Sequence, residues 1–165
     1  MKIGKGVEWA AHACAVLALL PQDAALSRDA LAEYLGVPAP YLAKQLQALS
    51  RANIVMTQRG VAGGYRLARD AGLISLWEIT AALEGTTPSF RCTEIRRNGP
   101  CGASPGECPG PCDIAAAFQH AEMAFRDALS AVPLTDIVSK ATDVAFEDRK
   151  GRIRDWIEQN ATGLS

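Results

Sequence analysis

The chain lacks the marks of several protein classes. It has no apolar run long enough to span a bilayer, so no membrane segment is expected. Its 165 residues carry 17 basic and 18 acidic side chains, for a net charge of −1. No global basic field advertises nucleic acid, although a short basic face can hide under a neutral average. There is no internal repeat and no low-complexity segment. No C-x-x-C pair and no nucleotide-binding glycine fingerprint is present, which argues against a thiol oxidoreductase or a dinucleotide enzyme. Met1–Lys5 is followed by an amphipathic run containing Glu8 and His12, not by the apolar stretch and cleavage site of a secretory signal. The five cysteines are an odd number. A reducing cytoplasm is therefore expected, where clustered thiols bind metal more often than they pair.

What is present is concentrated between Phe90 and Asp113. Four cysteines fall there, Cys92, Cys101, Cys108 and Cys112, spaced C-x8-C-x6-C-x3-C. Eight glycines and prolines from Gly99 to Pro111 surround them and exclude a helix or a central strand. Almost no apolar side chain is available to hold such a segment down. A loop this long inside a compact chain is functional or disordered, and thiols along it suggest a metal or cluster that orders it. An all-cysteine set of Cys92, Cys101, Cys108 and Cys112 fits a cluster and also fits zinc.

Around this loop the chain reads as mainly helical, with one domain's worth of core and an appendage. Lys5 to Leu20 has helical spacing that Pro21 ends. Glu8 and His12 lie four apart, hence on one helix face. They are either a solvated pair or two donors offered to a metal. Trp9 beside them suits packing. Cys14 falls on the apolar stripe as a buried, inert thiol.

Ser27 to Leu35, capped by Ser27 and closed by Gly36, and a helix from Pro40 with Tyr41, Leu42, Leu46 and Leu49 along its stripe, form a helix-turn-helix. The strand Ile54–Thr57, a glycine-rich turn carrying Arg59, and the strand Tyr65–Leu67 make a basic-tipped hairpin behind it. Together these predict a winged helix. Leu73 to Leu83 reads as a further helix. Asp113 is placed as N-cap of a long helix Ile114–Ala131, whose stripe of Ile114, Ala117, Phe118, Ala121, Ala124, Phe125, Ala128 and Leu129 suits a dimer seam. Leu134–Phe146 and Asp148–Gln159 read as helices, the latter docked by Trp156, and the last residues are expected to fray. The organisation expected is a DNA-binding domain over 1–85, a cluster loop over 86–112, and dimerisation and C-terminal helices over 113–165.

Leu26–Leu49, the wing R-G-V-A-G-G-Y-R-L-A over 59–68, I-T-A-A-L-E-G over 79–85 and the cysteine loop resemble the IscR/NsrR family of winged-helix iron–sulfur regulators, closest to its redox-sensing RsrR branch. The likeness covers roughly the first 140 residues. It implies a homodimeric DNA-binding regulator, not an enzyme, with a 2Fe–2S cluster. Glu8 stands where the nitric-oxide-sensing branch has an aspartate ligand. The likeness implies a mixed site, with Cys108 and Cys112 from one subunit and Glu8 and His12 from the other, and Trp9 as a redox relay. The cysteine spacing departs from the even spacing usual in the family. Replacing thiolates by imidazole and carboxylate favours an easily reduced cluster.

Two-fold symmetry would match a palindromic operator, with the Pro40–Arg51 helix in the major groove and Arg59 in the minor groove. Lys44 and Gln45 are the candidates for base edges, and Arg28, Tyr41 and Arg59 for phosphate or minor-groove contacts. Pro40 and Ala43 fill positions that often read bases in the family, so sequence preference should differ. The competing readings are a zinc-stabilised DNA-binding protein without redox sensing and a nitric-oxide-sensing repressor.

Overall fold

The computed structural model describes all residues except 1–2, 59, 61–62, 105, 144–146 and 164–165. Helix α1 spans Lys5–Leu17 and buries Val7, Ala10, Cys14 and Leu17. It ends three residues earlier than the sequence pattern suggests: Ala18 caps it and donates back to Cys14 O. The apolar pattern runs on because Leu19 and Leu20 are part-buried in the turn that follows.

Strand β1 (Ala25–Leu26) leads into α2 (Arg28–Leu35), where Ser27 Oγ accepts the Ala30 N–H at 3.0 Å as an N-cap and Gly36 closes the helix. Helix α3 spans Ala39–Arg51 with Pro40 in its first turn. Strands β2 (Val55–Gln58) and β3 (Gly64–Leu67) pair antiparallel from Val55↔Leu67 to Gln58↔Gly64 and form the wing. At Gly64 the backbone of β3 passes so close to β1 that a Cβ would lie 2.6 Å from Leu26 O. Only glycine fits this approach.

Helix α4 covers Leu76–Glu84 and starts three residues later than expected, after a 3-10 turn at Ala71–Leu73. Ser75 and Glu78 cap α4 reciprocally, each side chain meeting the other's backbone N–H. Helix α5 spans Asp113–Ser130. Here the expected Asp113 cap is corrected: Cys112 is the N-cap and Asp113 sits inside the first turn, where its charge complements the helix dipole. Helices α6 (Leu134–Asp143) and α7 (Glu147–Asn160) follow. The anticipated C-terminal fraying does not start at Ala161, because Ala161–Thr162 forms β4 and pairs with Leu26 and Ala25. The sheet order is β2-β3-β1-β4.

One core joins these elements. Leu26, Leu31, Leu42, Leu46, Leu49, Ile54, Ile74, Ile79 and Leu134 are fully buried in it. Trp156 of α7 docks edge-on against Tyr34 of α2, with ring centroids 4.8 Å apart. Helix α5 is different. Ala115 is its sole buried residue among those described, while Ile114, Phe118 and Met123 are more than half exposed. It touches the rest mainly through α4, where Trp77 meets Phe125 edge-on and the Arg126 guanidinium lies 5.1 Å from the Trp77 ring centre.

Candidate nucleic-acid interface and metal centre

Residues of α3 divide between two faces, because neighbours on a helix differ by about 100° in direction. One face opens, with the wing, into a cleft of about 510 Å3 lined by Lys44, Gln47, Ser50, Arg51, Thr57 and Tyr65. Lys44, Gln47 and Arg51 are spaced i, i+3, i+7, which a helical reading of the sequence could have found. Lys44 Nζ lies 6.0 Å from the centre of the exposed Tyr41 ring. Pro40 is exposed in the first turn. Arg28 is exposed too, but Asp29 holds its guanidinium at 2.7 Å and offsets its charge. Arg59 falls outside the described residues.

Gln45 departs from the expected role. Its carboxamide turns toward α1, where a Cβ added to Gly6 would lie 2.6 Å from Nε2. Its Oε1 is buried without a hydrogen-bond partner among the described residues. The side chain is thus part of the α1–α3 seam and not of the Lys44 face. Four residues earlier on α3, Tyr41 meets Trp9 of α1 edge-on, with centroids 6.5 Å apart. Glu8 and His12 are both exposed on α1. The helix that carries these two candidate ligands therefore rests directly on the recognition helix.

The cysteine loop is tied down at both ends. At its start, Phe90 stacks on Phe118 of α5 at 4.4 Å, Ser89 N donates to Glu122, and Arg126 donates to Thr86 O. Arg96 bridges the limbs: it donates to Glu94, to Gly110 O at 2.6 Å and to Pro111 O at 3.4 Å. Its charge also faces the Cys108 and Cys112 sulfurs. Cys112 is held below the ordinary thiol pKa, chiefly by the Ala115 N–H at the head of α5, against some desolvation, and further by Ile114 N–H, Cys92 and Arg96. Cys92 faces Cys112 closely enough for each thiol to affect the other's ionisation. Glu94 N–H pulls the Cys92 pKa down, but desolvation and the facing Cys112 and Glu94 raise it overall.

The structure thus joins Cys92 to Cys112 and places Arg96 against Cys108 and Cys112. Cys101 is exposed. Among the described residues of one chain, no three His, Cys, Asp or Glu side chains gather closely enough to hold a metal ion. No helix described is long and apolar enough to cross a membrane.

Residues 3–140 match the model of the Rrf2 family, described as an iron-dependent transcriptional regulator. The chain is a member of the Rrf2 family. It is 43% identical over 90 residues to the putative HTH-type transcriptional regulator slr0846 of Synechocystis, a match spanning 54% of this chain and 61% of that relative. Its fold is that of T. potens IscR, with a TM-score of 0.67 at 22% identity, covering 88% of this chain and 92% of that one. It is also that of CymR, the global cysteine regulator of B. subtilis, with a TM-score of 0.65 at 21% identity, covering 85% and 98%. This Rrf2 protein is a transcriptional regulator with a winged-helix DNA-binding fold.

Proposed function

We propose that this regulator binds a palindromic operator as a homodimer, and that the presence or redox state of a 2Fe–2S cluster sets its affinity. The cluster would be held by Cys108 and Cys112 of one subunit and Glu8 and His12 of the other. The observation that carries the reading is the α1–α3 seam. Glu8 and Trp9 are consecutive, Trp9 packs on Tyr41, and Tyr41 shares a face with Lys44. A force on Glu8 or His12 therefore has a short packed route to the reading head. Trp9 is the relay in this scheme.

The donors suit such a cluster. Cys112 is disposed to be a thiolate at a helix N-terminus, and Arg96 supplies a counter-charge to two sulfurs. When bound, the cluster would supply a one-electron couple. Lys44, Gln47, Arg51 and Tyr65 line the groove-facing cleft, where the cations Lys44 and Arg51 would meet phosphate, and Tyr41 and Arg59 would add phosphate and minor-groove contacts. The homodimer fits the apolar stripe that α5 leaves uncovered, which begins immediately after Cys112 and so brings the thiols to the edge of the seam.

The contact between Cys92 and Cys112 favours a second ligand set, in which Cys92 is a third thiolate. Visible spectra of anaerobically purified protein separate the readings, taken beside Glu8→Ala, His12→Ala, Cys92→Ala and Cys108→Ala. Loss of the chromophore in all but Cys92→Ala supports the mixed site. Retention in Glu8→Ala and His12→Ala with loss in Cys92→Ala transfers the ligation to thiols. A colourless zinc protein ends the redox reading and leaves the DNA reader standing.

A further inference from the structure

A groove of about 490 Å3 lies between α1, α2, α6 and α7. Its size is that of a small-molecule site. The stretch matched by the family ends at residue 140, so α7, which supplies one wall, lies beyond the family's shared core. The interior is apolar, with Val16, Leu19, Leu35, Val138, Ile153 and Ile157.

The rim is polar and of one dominant sign. Arg149, Lys150 and Arg154 all line it, with Glu158 the sole carboxylate among the described lining residues. Lys150 is held by Glu147 at 2.8 Å, and the same carboxylate attracts Arg154. No ion pair or hydrogen bond engages the Arg149 side chain among the described residues. An apolar trough with an unengaged guanidinium at its mouth is complementary to a body of hydrocarbon ending in an anion. His12, proposed above as a cluster ligand, lines the α1 wall, so the trough adjoins that donor.

We infer that this groove binds a medium-chain carboxylate, with its chain along the α1–α7 trough and its carboxylate on Arg149. Because α1 also packs on α3, the occupant touches the helix that supports the reading head. That link to operator affinity rests on the function proposed above, whereas binding itself does not.

Calorimetry on the full-length protein with decanoate, kept below its micellar concentration, tests the site. The expected result is saturable binding of one molecule per chain. Binding should weaken by about tenfold or more for 1-decanol and for Arg149→Glu, since each removes a charge-assisted contact. Ala141→Trp places an indole against the groove and should abolish binding, with the circular dichroism spectrum and oligomeric state as controls for folding. Non-saturable uptake, equal affinity for decanol, or full binding by Ala141→Trp overturns the proposal. Binding seen only after dilution to monomers also overturns it, because the trough is then the seat of a second copy. Decanoate that binds as expected but leaves operator affinity unchanged removes the regulatory link and keeps the site.

Discussion

Cys112 and Cys92 are neighbours with opposite tendencies. Helix-terminal N–H donors pull the Cys112 pKa below the ordinary thiol value, while Cys92, facing the Cys112 and Glu94 charges, is raised. In metal-free, reduced protein at neutral pH, iodoacetamide should therefore label Cys112 before Cys92. The Cys112 rate should reach its plateau at lower pH, since the thiolate is the reacting form. Equal rates and coincident pH profiles, read by peptide mass spectrometry, would contradict this placement. Cys14, whose pKa burial pushes up to about 12, should stay unlabelled until the protein unfolds. On α3, Lys44→Ala and Arg51→Ala should each weaken binding across all DNA sequences and lower the salt slope of the dimer by about two, one contact being lost per subunit. Gln45→Ala should leave base preference unaltered, because its amide faces α1. Lys44 and Gln45 look equivalent in sequence as adjacent polar residues. The helical period separates them by direction, yet nothing in the local sequence says that α1 covers the Gln45 side. The burial of Cys14, by contrast, is legible from its place on the apolar stripe.

Elements with a strong period or a cap were readable, and those fixed by tertiary pairing were not. Helix α2 was bounded by Ser27 and Gly36, and the structure keeps both. Strands β1 and β4 are two residues each, too short to show alternation, and they exist because the chain's end returns to the Ala25–Leu26 edge. Helix α4 starts behind Ser75-x-x-Glu78, which spells a capping box, and not at Leu73, where its apolar spacing begins. Glu78 carries two duties, accepting from Ser75 N at 2.9 Å and from Arg69 at 2.7 Å. Burial pushes its pKa up, but the Ser75 N–H, Arg69 and the Ser75 hydroxyl outweigh this and leave it lowered. A lowered folded pKa means stability that is present above the ordinary carboxylate range and lost as pH falls through the folded value. Glu78→Ala removes half of the capping box and should cost about 1 kcal/mol near neutral pH, solvent screening reducing the share of the Arg69 pair. Urea unfolding repeated in acid should show the two proteins converging. A difference independent of pH would mean that the carboxylate's charge is not what stabilises the turn.

At the scale of the whole molecule, the question is how a chain of net charge −1 grips a polyanion. Affinity of this kind comes from local cations that displace condensed counterions, not from net charge. One copy presents a single short face, with Lys44 and Arg51 in the cleft between α3 and the wing. Two copies related by a two-fold axis double the phosphate contacts and fix the spacing of two half-sites. The surface available for that axis is α5, where Ile114 and Phe118 stand exposed at 61% and 52%, with Ala117, Ala121, Ala124 and Ala128 exposed along the same stripe. This stripe is visible in the sequence as helical spacing, but only the fold shows that the chain leaves most of it uncovered while Phe125 packs on Trp77 and Leu129 is half-buried. Phe118 has a second partner, the stacked Phe90 at the start of the cysteine loop. Phe118→Glu would therefore disturb loop and seam together, whereas Ala124→Glu lies one to two turns further along the same exposed stripe. Ala124→Glu should shift the protein to monomers in sedimentation experiments while its circular dichroism stays that of the parent. Its operator affinity should fall, and the slope of log affinity against log salt should drop to about half, because each monomer contributes its own phosphate contacts at about −0.9 per contact. If the variant stays dimeric with an unchanged slope, α5 is not the seam. A variant that becomes monomeric with an unchanged slope would instead show that one copy makes every phosphate contact, and the two-fold operator would lose its basis.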